Sequence, residues 1–349
     1  MSSNRRILAI TLTACACLLS ACGGGSDGNS ASAALKSGDE LIAAAKAEGS
    51  LTWYTGSAPQ DAKTMAKAFM DKHGIKVNVV RLSSGPIAQR IATEAKTGNV
   101  NADVIVATDP IFLDSATHEG WLAKLDPAQV PSIKAFPAKF KTGTYATAIV
   151  GPGLGVSYNT HLVKGDPPCT WNALLDQKYA GRMILTDPAT SAAYTKFFDV
   201  VLHDPTLGED WMKKFAALGY ASVAESSVPA AQLVAAGEGT LSIVSSRPAI
   251  APLAAQKAPI AFCALESPAP ANLQYIAALD KAPKPNAARL FVDYFLSTEG
   301  QTKYAATGEG ASALGDLPGA PSAPKGLVIP DASQAQKDLP TIQSLLGTH

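Results

Sequence analysis

The chain has no excess of charge of either sign. Its 29 lysine and arginine residues balance 29 aspartate and glutamate residues, so the formal net charge at pH 7 is zero. A near-neutral protein offers no broad basic face for a polyanion. We therefore expect no nucleic acid among its partners.

Apolar runs long enough to cross a membrane are also missing. The run at residues 7–19 follows Arg5 and Arg6 and is too short to span a bilayer comfortably. This order is typical of a signal peptide, which we predict at residues 1–21. It ends in Leu19-Ser20-Ala21-Cys22, which matches the lipobox of bacterial lipoproteins. We therefore predict lipidation of Cys22 and an extracytoplasmic protein, anchored in the periplasm or at the outer face of the cell membrane; an ordinary signal peptide with an incidental cysteine is the alternative.

Cysteine is scarce, with five residues in the whole chain. Cleavage before Cys22 would leave Cys22, Cys169 and Cys263. With Cys22 lipidated, Cys169 and Cys263 form a candidate disulfide in an oxidising compartment, and two separate buried thiols are the alternative. The residues after Cys22 are mostly Gly, Ser, Ala and Asn, so we predict a flexible tether at residues 22–36.

The usual signatures of catalysis and of metal binding are missing. The chain contains no Walker phosphate loop, no HExxH and no GxSxG at a predicted strand-to-helix turn. Gly151, Gly153 and Gly155 precede a predicted strand rather than a helix, which is typical of a flexible crossover. The histidines are dispersed. We therefore expect no enzyme activity, no metal site and no cofactor.

The chain does contain an alternation of strands and amphipathic helices. Strands are predicted at residues 51–55, 77–82, 103–107, 155–158, 183–186, 240–244 and 273–279. Helices are predicted at residues 41–48, 61–72, 87–96, 191–203, 209–218, 230–236 and 287–296, the first of them opened by a capping box of Ser37 and Glu40. This order predicts the α/β class, with two doubly wound lobes built on parallel sheets.

The predicted domains follow this alternation. Lobe 1 would comprise residues 37–145 plus 271–305, and lobe 2 residues 146–270. Residues 306–349 would form a C-terminal segment that packs on the lobes. Hinges are expected near residues 146–155 and 269–274. Open α/β sheets bind ligands beyond the carboxyl ends of their strands, so two such lobes could close on a solute.

The chain resembles the ferric-iron-binding branch of the extracellular solute-binding proteins that serve ABC importers. The matching segments are Leu51-Thr52-Trp53-Tyr54-Thr55-Gly56, Ala102-Asp103-Val104, Tyr158-Asn159-Thr160, Asp187-Pro188 with Thr190-Ser191-Ala192-Ala193, and Ser297-Thr298-Glu299-Gly300-Gln301. The resemblance implies a type II periplasmic-binding-protein fold, an ABC permease as partner, a small solute as ligand and a monomeric receptor.

The iron ligands of that branch are not matched here. Its members use a histidine, a glutamate and two adjacent tyrosines, and these positions fall near Ala58, at Thr108, and at Arg247 and Pro248. A guanidinium would put a fixed positive charge where the cation binds. Bare ferric iron is therefore not the expected ligand, although Asp109 keeps iron or an iron chelate as an alternative.

The anion contacts of that branch are matched better. Thr190, Ser191, Ala192 and Ala193 open a predicted helix, whose backbone N–H groups and dipole favour an anion; an ordinary capped helix is the alternative. Further candidate contacts are Ser57, Ser84, Ser226, Ser245 and Arg247, the last as a bidentate clamp. The alternatives are ordinary strand-to-helix turns at Ser57 and Ser84, and a surface or ion-paired arginine at Arg247. We predict a receptor that captures a small organic anion (a phosphonate, phosphate ester or carboxylate) by hinge closure, with an extracellular hydrolase as the second alternative.

Overall fold

Two five-stranded sheets, each covered by helices, organise this α/β fold. The computed structural model describes residues 36–151, 153–190 and 192–348. The predicted signal peptide and Cys22 lie outside the described residues, as do residues 22–35 of the predicted tether, and Ser191. Lys36–His349 form one compact unit.

The strands follow one another along the chain in this order: β1 (Ser50–Thr55), β2 (Lys76–Arg81), β3 (Val104–Ala107), β4 (Tyr145–Gly151), β5 (Gly155–Asn159), β6 (Met183–Thr186), β7 (Tyr220–Ala224), β8 (Leu241–Ser245), β9 (Ile260–Ala264), β10 (Ala269–Pro270), β11 (Asn272–Ala278) and β12 (Leu327–Val328). The α-helices are α1 (Gly38–Glu48), α2 (Pro59–His73), α3 (Ser84–Thr97), α4 (Pro110–His118), α5 (Ala192–His203), α6 (Gly208–Ala217), α7 (Ser227–Ala236), α8 (Arg247–Ala255), α9 (Pro285–Leu296), α10 (Thr298–Tyr304) and α11 (Ala332–Leu346).

The first sheet has the order β2-β1-β3-β11-β4, and we call it, with its helices, the first lobe. Strand β1 lies parallel to both β2 and β3, with Trp53 beside Val79 and Val104. Strand β11 runs antiparallel to β3 and β4. The second sheet has the order β7-β6-β8-β5-β9 and defines the second lobe. Here β6 is parallel to β7 and β8, whereas β5 is antiparallel to β8 and β9.

The predicted fold class is confirmed, with one difference in strand direction. We expected parallel sheets, but β5 and β11 run antiparallel because each enters its sheet from the other lobe. The sequence analysis did not place α4, β4, β7, α8, β9 or α10, nor the two-residue strands β10 and β12. The capping box is wrong in detail: Ser37 precedes α1, but its side chain makes no capping hydrogen bond.

Each sheet carries its own hydrophobic core. In the first lobe, Trp53 packs against Phe291 with ring centroids 5.3 Å apart. In the second lobe, Trp211 stacks on Phe215 at 4.9 Å. Burying such a side chain contributes about 2–3 kcal/mol. Separate cores are what two lobes with a cleft between them require.

The chain passes between the lobes at two places. It leaves the first sheet after β4 and enters the second at β5, and it returns through β10 to β11. The C-terminal segment contacts both sides: Ala311 bridges to Val150 of β4, and α11 buries Ile342 and Leu346 in the second core. The division at residue 145 stays a prediction, since β4 continues to Gly151.

A disulfide joins Cys169 to Cys263 of β9, with Cα atoms 5.6 Å apart. The two cysteines are 94 positions apart in the sequence. The bond therefore ties a long loop of the second lobe to the edge strand of its sheet.

Candidate functional site

A cleft of ≈ 530 Å³ lies where the two lobes face each other. It is lined by Gly56, Ser83, Ser84, Gly85, Val106, Ala107, Thr108, Asp109, Thr190, Ala193 and Gln274. Most of these residues follow β1, β2 or β3, whose carboxyl ends meet at one edge of the first sheet. The cleft thus occupies the position where open α/β sheets bind ligands.

On the first lobe, small polar side chains join two neighbouring loops of the cleft. The Ser84 and Thr108 hydroxyl groups are 3.0 Å apart, and the Thr108 N–H donates to the Ser84 oxygen at 3.0 Å. Ser83 precedes α3 without capping it by a side-chain hydrogen bond. The positive end of the α3 dipole therefore lies at the cleft without a side-chain cap.

Asp109 is the acidic residue of the cleft lining. Its Oδ1 accepts hydrogen bonds from the N–H groups of Ile111 at 3.0 Å and Phe112 at 3.2 Å. The carboxylate thereby caps the N-terminus of α4 and offsets the dipole of that helix. One of its oxygens is thus already engaged by the backbone.

On the second lobe, the cleft wall is formed by the start of α5. Thr190 ends a turn in which its hydroxyl donates to the Asp187 carbonyl at 2.9 Å, while the Ala189 N–H donates to the Asp187 carboxylate at 2.8 Å. Thr190 and Ala193 both line the cleft. The N-terminal ends of three helices (α3, α4 and α5) therefore converge on one space.

Lys196 brings a charge to this place. It lies on α5 one turn after Ala193, and only 6% of the residue is exposed. Its ammonium donates to the Thr108 carbonyl of the first lobe at 3.5 Å, the single hydrogen bond it makes among the described residues. Burial lowers the pKa of Lys196, while the nearby Asp109 carboxylate acts in the opposite direction.

The back of the cleft is closed by Gln274 of β11. The Gln274 Oε1 accepts a hydrogen bond from the Tyr304 hydroxyl at 3.0 Å. Ser57 lies behind it: its hydroxyl is buried, contacts Tyr304 and lies 2.8 Å from the Thr55 hydroxyl. Gly56 is therefore the part of this loop that meets the cleft.

Ser245 combines burial with a strained neighbour. Its hydroxyl is fully buried and has no hydrogen-bond partner among the described residues. Val244, directly before it, has a φ of 63°, which is unfavourable for a β-branched residue. Strain of this kind often marks ligand sites. Ser245 and the half-buried Ser226 nevertheless do not line the cleft of ≈ 530 Å³.

Arg247 lies in a different cleft. It is the first residue of α8, is exposed, and holds its guanidinium carbon 5.9 Å from the centre of the Phe262 ring. This second cleft has a volume of ≈ 510 Å³ and also contains Glu266 and Lys325. The structure thus does not bring Arg247 to the cleft that Lys196 adjoins.

The sequence-predicted residues therefore divide into groups. Ser84, Thr190 and Ala193 come together in one cleft, Ala192 opens α5 beside them, and Ser191 lies outside the described residues. Sequence reasoning missed Lys196 and Gln274. Lys196 stands three residues after Ala193, hence on the same helix face, and that spacing was the available signal.

Comparison with known proteins identifies the family to which the chain belongs. The family described as bacterial extracellular solute-binding protein matches residues 64–341. The chain belongs to this family, and the resemblance predicted from the sequence is confirmed. In the described part of the chain, no helix is both long and apolar enough to cross a membrane.

Individual relatives are distant. Iron-bound HitA from Pseudomonas aeruginosa superposes with a TM-score of 0.62 at 23% identity, covering 84% of this chain and 99% of that one. AfuA from Actinobacillus pleuropneumoniae, with exogenous fructose-6-phosphate bound, gives a TM-score of 0.61 at 24% identity, covering 86% and 100%. These likenesses show the type II periplasmic-binding fold.

A curated relative adds a sequence match. The phosphoglycerate transport regulatory protein PgtC of Salmonella typhimurium is 24% identical over 229 residues. The match covers 65% of this chain but 56% of PgtC. The chain thus spans little more than half the length of that relative.

Proposed function

We propose that this protein is the extracytoplasmic solute-binding component of an ABC-type importer and captures a small organic anion between its lobes. The observation that carries the proposal is the buried ammonium of Lys196, next to the cleft, with one long hydrogen bond to a neutral carbonyl. A buried charge is costly unless it is paired. The nearby Asp109 carboxylate compensates this charge only in part. A bound anion would supply a direct partner.

Backbone electrostatics support the same charge preference. The N-termini of α3, α4 and α5 point their dipoles toward the cleft, and the Asp109 carboxylate compensates that of α4 alone. Helix N-termini with small flanking side chains let an oxyanion approach the backbone N–H groups. The hydroxyl groups of Ser84 and Thr190, from opposite lobes, could turn from Thr108 and from the Asp187 carbonyl to donate to the ligand, so that ligand binding favours closure.

Among organic anions, we favour a phosphate ester. PgtC is named for phosphoglycerate transport, and the AfuA structure holds fructose-6-phosphate. A phosphoryl group offers three acceptor oxygens, enough to meet an ammonium, helix N–H groups and hydroxyl groups at once. A phosphonate and a carboxylate are the other two candidate ligands of the same cleft.

Calorimetry tests the proposal directly. Phosphoglycerate, fructose-6-phosphate, a phosphonate and a dicarboxylate are titrated into the purified protein. Lys196→Met should weaken binding of the best ligand by about 10- to 100-fold, the value of a charged hydrogen bond. Lys213→Met is the matched control, because Lys213 pairs with Glu209 on the surface of the same lobe. Equal affinity of the two variants would refute the role of Lys196.

Arg247 provides a second test within the same experiment. The resemblance suggested Arg247 as an anion clamp, but Arg247 lines the second cleft. We therefore expect Arg247→Ala to weaken binding less than Lys196→Met does. A larger loss in Arg247→Ala would move the proposed ligand contact to the second cleft.

Ferric iron, free or chelated, is the alternative ligand. HitA is iron-bound, and Asp109 offers a carboxylate in the cleft. The nearby cation of Lys196 opposes a bare metal ion, but it suits the anionic part of a chelate. Calorimetric binding of ferric citrate that is weakened in Asp109→Asn would favour iron. Protein that binds a phosphate ester but not ferric citrate would favour the anion.

The lipid anchor belongs to the same proposal. A lipid on Cys22, followed by a flexible tether, would hold the receptor near a membrane permease. Mass spectrometry of the protein purified from membranes should find the acyl modification on Cys22. Cys22→Ser should release the protein from the membrane fraction, and retention of that variant would contradict the anchor.

A further inference from the structure

A cluster of one histidine and two aspartates lies on the second lobe. His203 and Asp199 are one turn apart on α5, and Asp338 comes from α11. The His203 Nε2 is 2.7 Å from the Asp338 Oδ2 and 3.6 Å from the Asp199 Oδ1. The three atoms all lie within 4.8 Å of one another.

One carboxylate oxygen of this cluster, the Asp199 Oδ1, lacks a hydrogen-bond donor in the described part of the chain. Asp199 is 4% exposed, yet its Oδ1 has no hydrogen-bond partner within the described part of the chain. A buried carboxylate oxygen is normally satisfied by donors or by a cation. The His203 Nε2 lies 3.6 Å from this oxygen, which is too long for a hydrogen bond.

The cluster opens onto solvent through a pocket. Asp199 and His203 line a cavity of ≈ 420 Å³ together with Asp204, Asp331 and Gln334. The His203 side chain is 57% exposed, whereas Asp338 is 19% exposed. An ion can therefore reach the three ligand atoms from solvent, with Asp199 at the inner side.

The donor set matches the coordination chemistry of divalent transition metals. An imidazole nitrogen and carboxylate oxygens bind zinc at about 2.0–2.2 Å, which puts tetrahedral ligands roughly 3.4 Å apart. The Asp199 and His203 atoms already have this spacing, and those of His203 and Asp338 would separate by under about 1 Å. Calcium, which takes six to eight oxygens, fits less well.

A supporting residue orients one of the carboxylates. Gln334 stands one turn before Asp338 on α11, and its side-chain amide donates a hydrogen bond of 2.9 Å to the Asp338 Oδ2. Residues behind the ligands are a regular part of metal sites.

We propose that Asp199, His203 and Asp338 bind a divalent transition-metal ion, such as zinc, that joins α5 to α11. The site lies apart from the cleft and is independent of the solute proposed above.

The metal would act on the C-terminal helix. Helix α11 buries Ile342 and Leu346 in the second core, and α5 forms the wall of the solute cleft through Ala193. A cation held by both helices would fix α11 to the lobe that closes on the solute. The expected consequence is protection of α11 against local opening.

Zinc titration of the full chain tests the site. Thiols bind zinc, so Cys15, Cys17 and Cys22 are first replaced by serine, which leaves the disulfide intact. Calorimetry of the metal-free protein should show one equivalent of zinc, and calcium should not compete. His203→Ala and Asp338→Asn should each weaken binding at least about 10-fold. His161→Ala, which removes another exposed histidine, should bind like the parent.

Hydrogen exchange separates a metal site from an ion pair. Zinc should slow amide exchange in α11 of the parent and of His161→Ala, but not of Asp338→Asn. Each variant is compared with its own metal-free form, so a loss of stability does not imitate the result. The proposal is overturned if the parent does not bind zinc at concentrations up to about 1 mM, or if His203→Ala and Asp338→Asn bind it as tightly as His161→Ala.

Discussion

The ammonium of Lys196, on helix α5 of the second lobe, donates a hydrogen bond of 3.5 Å to the carbonyl of Thr108, at the end of β3 in the first lobe. This contact joins the two lobes at the cleft. A charged group bonded to a neutral carbonyl is only partly compensated for the loss of water. The contact therefore leads to two predictions: the proton uptake on binding an anion, and the stability of the protein without one.

Ligand binding should take up protons at alkaline pH. Burial lowers the pKa of Lys196 below 10.5 in the free protein, and an anion beside it would raise that pKa again. Affinity should therefore fall as the pH rises through the lowered pKa. Calorimetry in two buffers of different ionisation enthalpy measures the uptake, and Lys196→Met should abolish it. Uptake that persists in Lys196→Met would assign the proton to another group.

Removing the buried charge should stabilise the empty protein. Between the lowered pKa and 10.5, the unfolded chain binds the Lys196 proton more readily than the folded chain does, so the stability of the folded protein rises with pH in this range. At lower pH the folded protein bears the full free-energy cost of the buried ammonium. Lys196→Met should thus increase the free energy of unfolding at neutral pH by about 1 kcal/mol. Urea denaturation without ligand measures it. A clear loss of stability would instead indicate a structural tie between the lobes.

The two sheets could be predicted because they depend on local patterns. Apolar runs and helical periodicity are properties of neighbouring residues, and they located strands such as β6 at its observed bounds. The strand β4 and the helix α8 were missed because their residues, from Tyr145 and Arg247 onward, are placed by contacts far away in the sequence.

The site was harder to predict for the same reason. The role of Lys196 can be inferred only from the fold, because its hydrogen-bond partner Thr108 belongs to the other lobe. His203 looked isolated in the sequence because Asp338 stands 135 positions away. Sequence spacing identifies ligands on one helix, but a site shared by two elements needs the fold.

Gly155 should be needed for close approach of strands rather than for flexibility. A Cβ at this position would lie 2.2 Å from the Cys263 carbonyl oxygen and 2.7 Å from the Ala264 Cα. These are backbone atoms of β9, so the sheet would have to open. Gly155→Ala should reduce the free energy of unfolding by about 2 kcal/mol.

Gly143→Ala is the control for this substitution. A Cβ there meets nothing within 4 Å, and its backbone is not in the left-handed region. This variant should be neutral or more stable by about 0.5 kcal/mol, since alanine restricts the unfolded chain. Urea denaturation of both variants decides: equal stability would mean that β5 and β9 tolerate separation.

The disulfide between Cys169 and Cys263 should contribute more than any single side chain considered above. The two residues are 94 positions apart, so the bond closes a long loop in the unfolded chain. On the chain-entropy account, such a loop stabilises the folded state by about 4 kcal/mol. Both residues are only half-buried, so replacement by serine adds little loss of packing. The Cys169→Ser/Cys263→Ser variant should therefore unfold at lower urea, and the parent protein in reductant should match it. If the variant and the oxidised parent unfold at the same urea concentration, the bond does not form in solution.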